Sequence, residues 1–229
     1  MAGLRYRQQG VVMKSWVLMA LGVVAAVVLA ACGGGDGGGT TPGNTSEGGS
    51  VSNLAQCQRT GEKSFPAPET VIDPEKTYVA TIQTDKGNIV LELFAKDTPI
   101  TTNNFVFLSC KGYYDGVTFH RVIPGFVAQG GDPTGTGAGG PGYTIPDEQD
   151  AASFDAPGML SMAKAGANTT GSQFFITYAP VQRLDPDFTV FGRVTEGMDV
   201  LEQLTLRDPS QTPNAPPGDK IVRIEVEER

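Results

Sequence analysis

The chain has 229 residues and a formal net charge of −8, with 17 Lys and Arg against 25 Asp and Glu. This length suits one domain with appendages or two small domains. An acidic chain with no basic cluster after its first segment is a poor ligand for nucleic acid or anionic lipid, so we expect neither as a direct partner of the folded surface.

The first 31 residues are predicted to be an export signal. Arg5, Arg7 and Lys14 form a basic region, and an apolar run follows from Val17 to Ala31. This order is typical of secretory signals, and the run is short for a membrane span, which needs about 20 residues.

The signal ends in LAAC, residues 29–32, which resembles the bacterial lipobox. The resemblance implies cleavage before Cys32 and lipidation of its thiol. The alternative is an ordinary N-terminal membrane anchor. Either interpretation predicts an exported chain at the extracytoplasmic face of a cell membrane, in the periplasm or on the cell surface.

Residues 32–70 are predicted to be a flexible tether, because GGGDGGGTTPGNTSEGGS (33–50) is half glycine and cannot bury apolar surface. A folded domain is expected over residues 71–229. Cys57 and Cys110 could form a disulfide in an exported protein, but Cys110 ends an apolar helix and is interpreted as a buried small side chain. These two cysteines and a single histidine predict no metal cluster.

Short strands dominate the predicted domain. Residues 77–94 alternate around Asp85-Lys86-Gly87 and predict a β-hairpin. Helices are predicted over 98–110 and 198–204. Further strands are expected near 118–122, 126–130, 158–163, 173–177, 189–194 and 221–227. Many short strands with two helices predict a mainly β fold, a closed or nearly closed antiparallel barrel.

A glycine pattern at residues 135–140, GTGAGG, matches the dinucleotide-binding fingerprint. That fingerprint requires a helix to begin at the glycines, whereas Pro141 and Gly142 follow here. We therefore interpret it as a glycine-rich loop and expect no cofactor.

Three segments resemble the cyclophilins, the peptidyl-prolyl cis/trans isomerases. They are FHRVIPGFVAQGGD (119–132), GMLSMAKAGANTTGSQFFIT (158–177) and LDPDFTVFGRVTEGMDVLEQL (184–204), and the similarity extends from about Tyr78 to Val226. The resemblance implies a closed eight-stranded antiparallel barrel capped by two helices. It also implies isomerisation of X-Pro bonds in exported polypeptides. We expect a monomer without a cofactor.

The resemblance also implies the residues of the site. Arg121 is the implied catalytic arginine, and Gln129 the polar residue that holds the substrate backbone. The implied substrate-binding residues are Phe126, Val127, Gly135, Ala163, Lys164, Ala165, Phe175, Arg183, Leu184 and Phe188. Lys164 is expected to act through its backbone with a solvated side chain, and His120, on the other side of an extended strand, is expected to be structural.

Three of these positions depart from common family residues. Arg183 stands where animal relatives often have tryptophan, Phe188 where many have histidine, and Val127 where methionine is common. Arg183 offers no indole, so we expect weak inhibition by cyclosporin and a preference for acidic residues near the substrate proline. Two other functions stay open: a proline-binding or chaperone module with little turnover, and a structural barrel without an active pocket.

Overall fold

One antiparallel sheet of eight strands is the main element of the computed structural model, which describes residues 54–148 and 152–229. The elements are β1 (Tyr78–Thr84), β2 (Gly87–Leu93), α1 (Pro99–Cys110), β3 (Arg121–Ile123), β4 (Val127–Gly130), β5 (Met159–Met162), β6 (Phe174–Thr177), β7 (Val190–Glu196), α2 (Met198–Glu202) and β8 (Ile221–Glu228). The strand order is β3-β4-β6-β5-β7-β2-β1-β8. The predicted signal peptide, Cys32 and the glycine-rich segment up to residue 53 lie outside the described residues.

The first hairpin follows the alternation of its sequence and confirms the prediction for residues 77–94. Tyr78, Ala80 and Ile82, at every second position of β1, are buried. In the turn, the Thr84 hydroxyl accepts a hydrogen bond from the Lys86 N–H at 3.1 Å and donates one to the Gly87 carbonyl at 2.8 Å. Gly87 has φ +137°, a conformation that side chains disfavour, so glycine suits this position.

Strand β6 separates the main core from a second apolar cluster. Its residues alternate between the two faces of the sheet. Phe174 packs in the main core, with its ring 5.5 Å from that of Phe105 on α1. Phe175 faces the second cluster, where its ring stacks at 5.8 Å on Phe154. One short strand thereby supplies both the packing of the domain and a wall of the second cluster.

The helices differ slightly from their predicted ranges. Helix α1 begins with a proline in its first turn, and the Glu148 carboxylate accepts the N–H groups of Ile100 and Thr101 at 2.9 and 2.6 Å. A carboxylate at this end suits the positive end of the helix dipole. Helix α2 ends at Glu202, two residues earlier than predicted. No helix in residues 54–148 or 152–229 is long and apolar enough to cross a membrane.

The sheet is an open, curled half-barrel, so the predicted closed barrel is wrong on this point. β3 and β8 stand at its two ends and do not pair with each other in the described structure. β3 has only three residues. On the edge that faces away from β4, the Val122 N–H donates to the Arg207 carbonyl at 2.7 Å, and the Arg207 N–H donates to the Val122 carbonyl at 2.9 Å. Isolated bonds join residues 116–119 to 219–221 near the start of β8. The segment after α2 therefore occupies the edge at which β3 would need to meet β8.

Residues 54–70, which we call the N-terminal strap, pack on the domain, although the sequence assigned them to the tether. Cys57 forms a disulfide with Cys110 at the end of α1, with a Cα–Cα distance of 6.1 Å. The interpretation of Cys110 as an unbonded buried side chain is therefore wrong. Phe65 is 9% exposed and meets Phe107 edge to face at 5.2 Å. The strap thus adds a crosslink and an aromatic side chain to the core.

Polar contacts hold the same strap against the end of α1. Arg59 Nη1 donates to both carboxylate oxygens of Asp115 at 2.6 Å, and Arg59 Nη2 donates to the Ile224 carbonyl on β8 at 3.1 Å. The Lys63 ammonium lies among the carbonyls of residues 112, 113 and 115. These carbonyls follow a helix C-terminus, where a cation is favourable.

Candidate active site

The register of β3 and β4 brings the two predicted catalytic side chains together. Arg121 is the direct partner of Gln129 in the antiparallel pair, and such partners lie on the same face of a sheet. Arg121 Nη1 donates to Gln129 Oε1 at 3.3 Å, and Gln129 Nε2 donates to Gln173 Oε1 at 3.1 Å. Gln173 in turn donates to the carbonyls of Gly137 and Gly139 at 3.0 and 2.9 Å. The chain of bonds orients the guanidinium and joins it to the glycine-rich loop.

A cavity of about 170 Å³ adjoins this pair. Its walls contain most of the predicted substrate-binding residues. They are Phe126, Val127, Ala163, Lys164, Phe175, Leu184 and Phe188, together with Arg121 and Gln129. The walls are mainly aromatic and aliphatic, and the hydrogen-bonded Arg121 and Gln129 form a polar side. Such an arrangement suits an apolar ring whose flanking amide groups meet the polar side.

The remaining predicted residues lie around this cavity. Ala165 lines a neighbouring cavity of about 940 Å³, which also has Gln129, Ala163 and Lys164 in its walls. Gly135 lines a different cavity, beside Thr118 and Asp132, so the structure does not bring it to the apolar pocket. Arg183 stands at the pocket mouth, with its guanidinium carbon 4.6 Å from the centre of the Phe126 ring.

Aromatic rings and cations alternate at the mouth of the pocket. Arg121 also lies over Phe126, with its guanidinium carbon 5.4 Å from the ring centre. Lys164 Nζ lies 5.7 Å from the centre of Phe188, and Phe188 meets Phe175 edge to face at 5.8 Å. A cation over a ring face is attracted by the ring quadrupole, which helps to position Arg121 over Phe126 and Lys164 over Phe188.

The side chain of Lys164 is not solvated, contrary to the sequence-based expectation. It is 10% exposed, and its Nζ forms an ion pair with Asp147 at 2.7 Å. Asp147 also accepts the Asn168 N–H at 2.9 Å and the Thr170 hydroxyl at 3.1 Å. Burial alone would raise the pKa of Asp147, but the hydrogen bond and charge of Lys164, together with the bonds from Asn168 and Thr170, outweigh it and lower that pKa. Asp147 therefore fixes the loop of residues 163–170 that borders both cavities.

Two residues of this arrangement were missed at the sequence level. Gln173 lies in segment 158–177, which carries part of the resemblance to the cyclophilins. That segment was therefore the place to look for a residue that bonds to Gln129. Asp147 lies in a loop between predicted strands and carries no local signal. Its partner Lys164 is 17 residues away in sequence, so only the folded chain brings the two together.

The glycine-rich loop is organised by the buried Asp132 carboxylate. Asp132 accepts the N–H groups of Thr134 and Gly137 at 2.7 and 2.6 Å and the Thr134 hydroxyl at 2.8 Å. A Cβ atom at Gly139 would stand 2.0 Å from an Asp132 oxygen, so this position requires glycine. Backbone donors that would face a phosphate in a nucleotide site are directed at this aspartate instead, which agrees with the interpretation of 135–140 as a loop.

His120 lies outside the pocket walls and is only 3% exposed. Neither ring nitrogen has a hydrogen-bond partner among the described residues. Burial lowers its pKa, with the charge of Asp132 opposing that shift. The ring is therefore neutral at neutral pH and contributes packing behind Arg121.

The comparison with known families decides the class of protein. The profile described as "Cyclophilin type peptidyl-prolyl cis-trans isomerase/CLD" matches residues 79–226. The chain belongs to this family. It is a cyclophilin whose strap, residues 54–70, precedes the matched region.

Relatives of this cyclophilin are found in bacteria and eukaryotes. A "Peptidyl-prolyl cis-trans isomerase" of Helicobacter pylori is 52% identical over 136 residues, which are 58% of this chain and 83% of that protein. Another of that name from Synechococcus elongatus is 48% identical over 150 residues, 64% of this chain and 94% of that protein.

A solved structure has the same fold. The crystal structure of a cyclophilin type peptidyl-prolyl cis-trans isomerase from Cryptosporidium parvum has a TM-score of 0.61 and 37% sequence identity, covering 67% of this chain and 99% of that chain. A second structure of that protein, in the presence of the dipeptide Ala-Pro, has a TM-score of 0.57 and 36% identity, with 66% and 99% coverage.

Proposed function

We propose that this cyclophilin is a membrane-tethered peptidyl-prolyl cis-trans isomerase that accelerates X-Pro isomerisation in exported polypeptides. The observation that carries the proposal is Arg121, a guanidinium held by Gln129 and Phe126 at the edge of an apolar cavity. The name of the Helicobacter relative and the Ala-Pro dipeptide in the Cryptosporidium study support the same activity.

The reaction requires rotation about a peptide bond and no covalent step. Resonance in the C–N bond gives a barrier of about 18–20 kcal/mol. In the twisted state the proline nitrogen leaves resonance and can accept a hydrogen bond. A catalyst that stabilises this state by about 5 kcal/mol gains several thousand-fold, at about 1.36 kcal/mol per tenfold.

Arg121 supplies the donor for that nitrogen. Its guanidinium stays charged and presents donors in a fixed plane. The bond to Gln129 and the contact with Phe126 orient the guanidinium before substrate arrives, so little reorganisation is needed in the twisted state. The apolar walls hold the pyrrolidine ring, which has no N–H to satisfy.

Gln129 holds the chain on one side of the rotating bond. Its amide has a donor and an acceptor, and its links to Arg121 and Gln173 fix its position. A substrate carbonyl anchored here stays in place while the other side of the bond turns. Catalysis therefore combines one charged donor with one anchor.

Replacing Arg121 by alanine tests the proposal. We expect the rate of isomerisation of an X-Pro peptide, measured by NMR exchange, to fall about a hundredfold or more, with an unchanged thermal midpoint. Arg193→Ala is the matched control, because Arg193 is an exposed arginine on β7 that pairs with Glu92. Near-normal turnover in folded Arg121→Ala would refute the mechanism. Wild-type protein that binds the peptide without accelerating exchange would favour the binding module.

The tether is the second part of the proposal. LAAC at residues 29–32 supports lipidation of Cys32 and attachment at the extracytoplasmic face of a membrane. Radiolabelled palmitate should label the wild type in the membrane fraction and leave Cys32→Ser unlabelled. Equal labelling of the two proteins would rule out the lipobox.

A further inference from the structure

Two guanidinium groups share one ring at the mouth of the pocket. Arg121 and Arg183 lie 5.4 and 4.6 Å from the centre of Phe126. Of these two arginines, only Arg121 belongs to the catalytic pair, through its 3.3 Å hydrogen bond to Gln129. Arg183 is exposed and has no part in that chain of bonds. Besides Arg121 and the paired Lys164, the mouth therefore carries a further cation that the rotation itself does not require.

Both of these arginines lack a carboxylate partner in the part of the chain that the structure describes. Of the five other described arginines, Arg207 donates to the carbonyls of Pro216 and His120, and four form ion pairs, namely Arg59, Arg193, Arg223 and Arg229. In a chain with eight excess negative charges, unpaired arginines on one side of a pocket are a local reversal of the overall charge.

Three acidic residues near the two arginines are bound to other groups. Asp208, which interacts electrostatically with Arg121, accepts the N–H and the hydroxyl of Ser210 at 3.0 and 2.6 Å. Asp147 pairs with Lys164. Asp185, two residues after Arg183, accepts hydrogen bonds from the Ser153 hydroxyl at 2.5 Å and the Phe154 N–H at 3.3 Å. These carboxylates are committed to their own loops, so the charge of Arg183 faces solvent at the pocket.

We propose that Arg183 is a specificity-determining residue that favours proline segments with an acidic residue directly before or after the proline. This rests on the proposed isomerase function of the same pocket. Consecutive Cα atoms are about 3.8 Å apart, so a side chain next to a proline held against Phe126 reaches the space over that ring. A guanidinium there presents two parallel donors to a carboxylate.

The size of the preference follows from the exposure of Arg183. A solvent-exposed charge pair is worth little, and salt screens it. We therefore expect an acidic residue to raise kcat/KM about two- to fivefold over its neutral isostere at low salt. The ratio should approach one at about 0.5 M salt.

Matched peptides in an NMR exchange assay with the full-length protein test the proposal. The peptides carry Glu, Gln or Lys immediately before the proline in one series and immediately after it in the other. We expect the order Glu over Gln over Lys in at least one series at about 20 mM salt. Arg183→Gln should bring the ratio of Glu to Gln to about one, Arg183→Glu should invert it, and Arg193→Gln should leave it unchanged.

Three outcomes would overturn the inference. The wild type could treat Glu and Gln peptides equally in both series, the preference could survive in Arg183→Gln, or it could persist unchanged at high salt. A protein that turns over no peptide would refute the isomerase function separately. In that case titration of the same peptides decides the charge preference, and equal affinities for the Glu and Gln forms overturn it.

Discussion

The pocket and the N-terminal strap are built from different kinds of contact. Around the pocket, Arg121 is held by one 3.3 Å side-chain bond and a ring contact. The strap is held by a disulfide, the Arg59–Asp115 ion pair and the buried Phe65. Strong contacts thus stabilise one region, while the other leaves donors directed at an open cavity.

This difference indicates that different residues determine the stability of this protein and its rate of turnover. Groups that bind a substrate must keep unsatisfied donors or charges, which adds nothing to the stability of the free protein. The strap forms no part of the pocket walls, so its loss should lower the free energy of unfolding and spare the rate. Each variant below either separates the two effects or shows them to be coupled.

The largest effect is expected on removing the disulfide. In Cys57→Ser/Cys110→Ser, the crosslink over a sequence separation of 53 residues is lost, and the chain-entropy estimate is about 4 kcal/mol of unfolding free energy. Urea unfolding measures this loss, and the isomerase rate of the folded variant should equal that of the wild type. Arg59→Gln, which removes the partly exposed ion pair with Asp115 and the bond to the Ile224 carbonyl but keeps the disulfide, is the comparison and should cost less, about 1 kcal/mol.

A small loss of stability in the double variant would contradict this assignment of the strap. A rate that falls while the variant remains folded would show instead that the strap and the pocket are coupled.

A smaller effect, on both properties, is expected at Asp147. Asp147→Asn leaves the Lys164 ammonium, 10% exposed, without its carboxylate, and we expect a cost of about 2 kcal/mol, since the pair is close to buried. The loop of residues 163–170 should loosen, and kcat/KM should fall about threefold to tenfold. Thermal unfolding and the exchange assay measure the two.

Lys164→Met and the double variant complete a cycle for this pair. If the pair acts as one unit, Asp147→Asn should cost much less in the Lys164→Met background than in the wild type. Additive effects would show that Asp147 acts through Asn168 and Thr170 rather than through Lys164.

The smallest effect is expected from His120 and depends on pH. Burial lowers its pKa in the folded state, so the unfolded chain binds a proton first as the pH falls below about 6.5. The contribution to stability is therefore present above that pH and is lost as the pH falls toward the folded pKa. We expect the wild type to lose up to about 1 kcal/mol between pH 7 and 5, and His120→Gln to lose less.

His120 is the single histidine of the chain, which makes the comparison clean. Asp132 and Asp147 have lowered pKa values and remain charged throughout this range. Identical pH profiles of unfolding for the two proteins would contradict a neutral, buried His120.

The sequence alone determined most of the domain from Tyr78 onward. The hairpin β1–β2 and helix α1 follow from local periodicity and turn residues, which act over a few positions. The resemblance to the cyclophilins also identified the side chains that line the apolar cavity. The partnership of Arg121 with Gln129 is nearly local, because a single tight turn between β3 and β4 sets their register.

The tertiary structure alone decided the features that depend on distant partners. Cys57 meets Cys110, and Asp147 meets Lys164, through contacts that no local pattern encodes. The open edge of the sheet depends on Arg207, which reaches β3 from the loop after α2. The periodicity of a sequence indicates which face of an element is buried, but it does not indicate which distant segment covers that face. These three contacts all join distant segments, so the sequence pattern could not predict them.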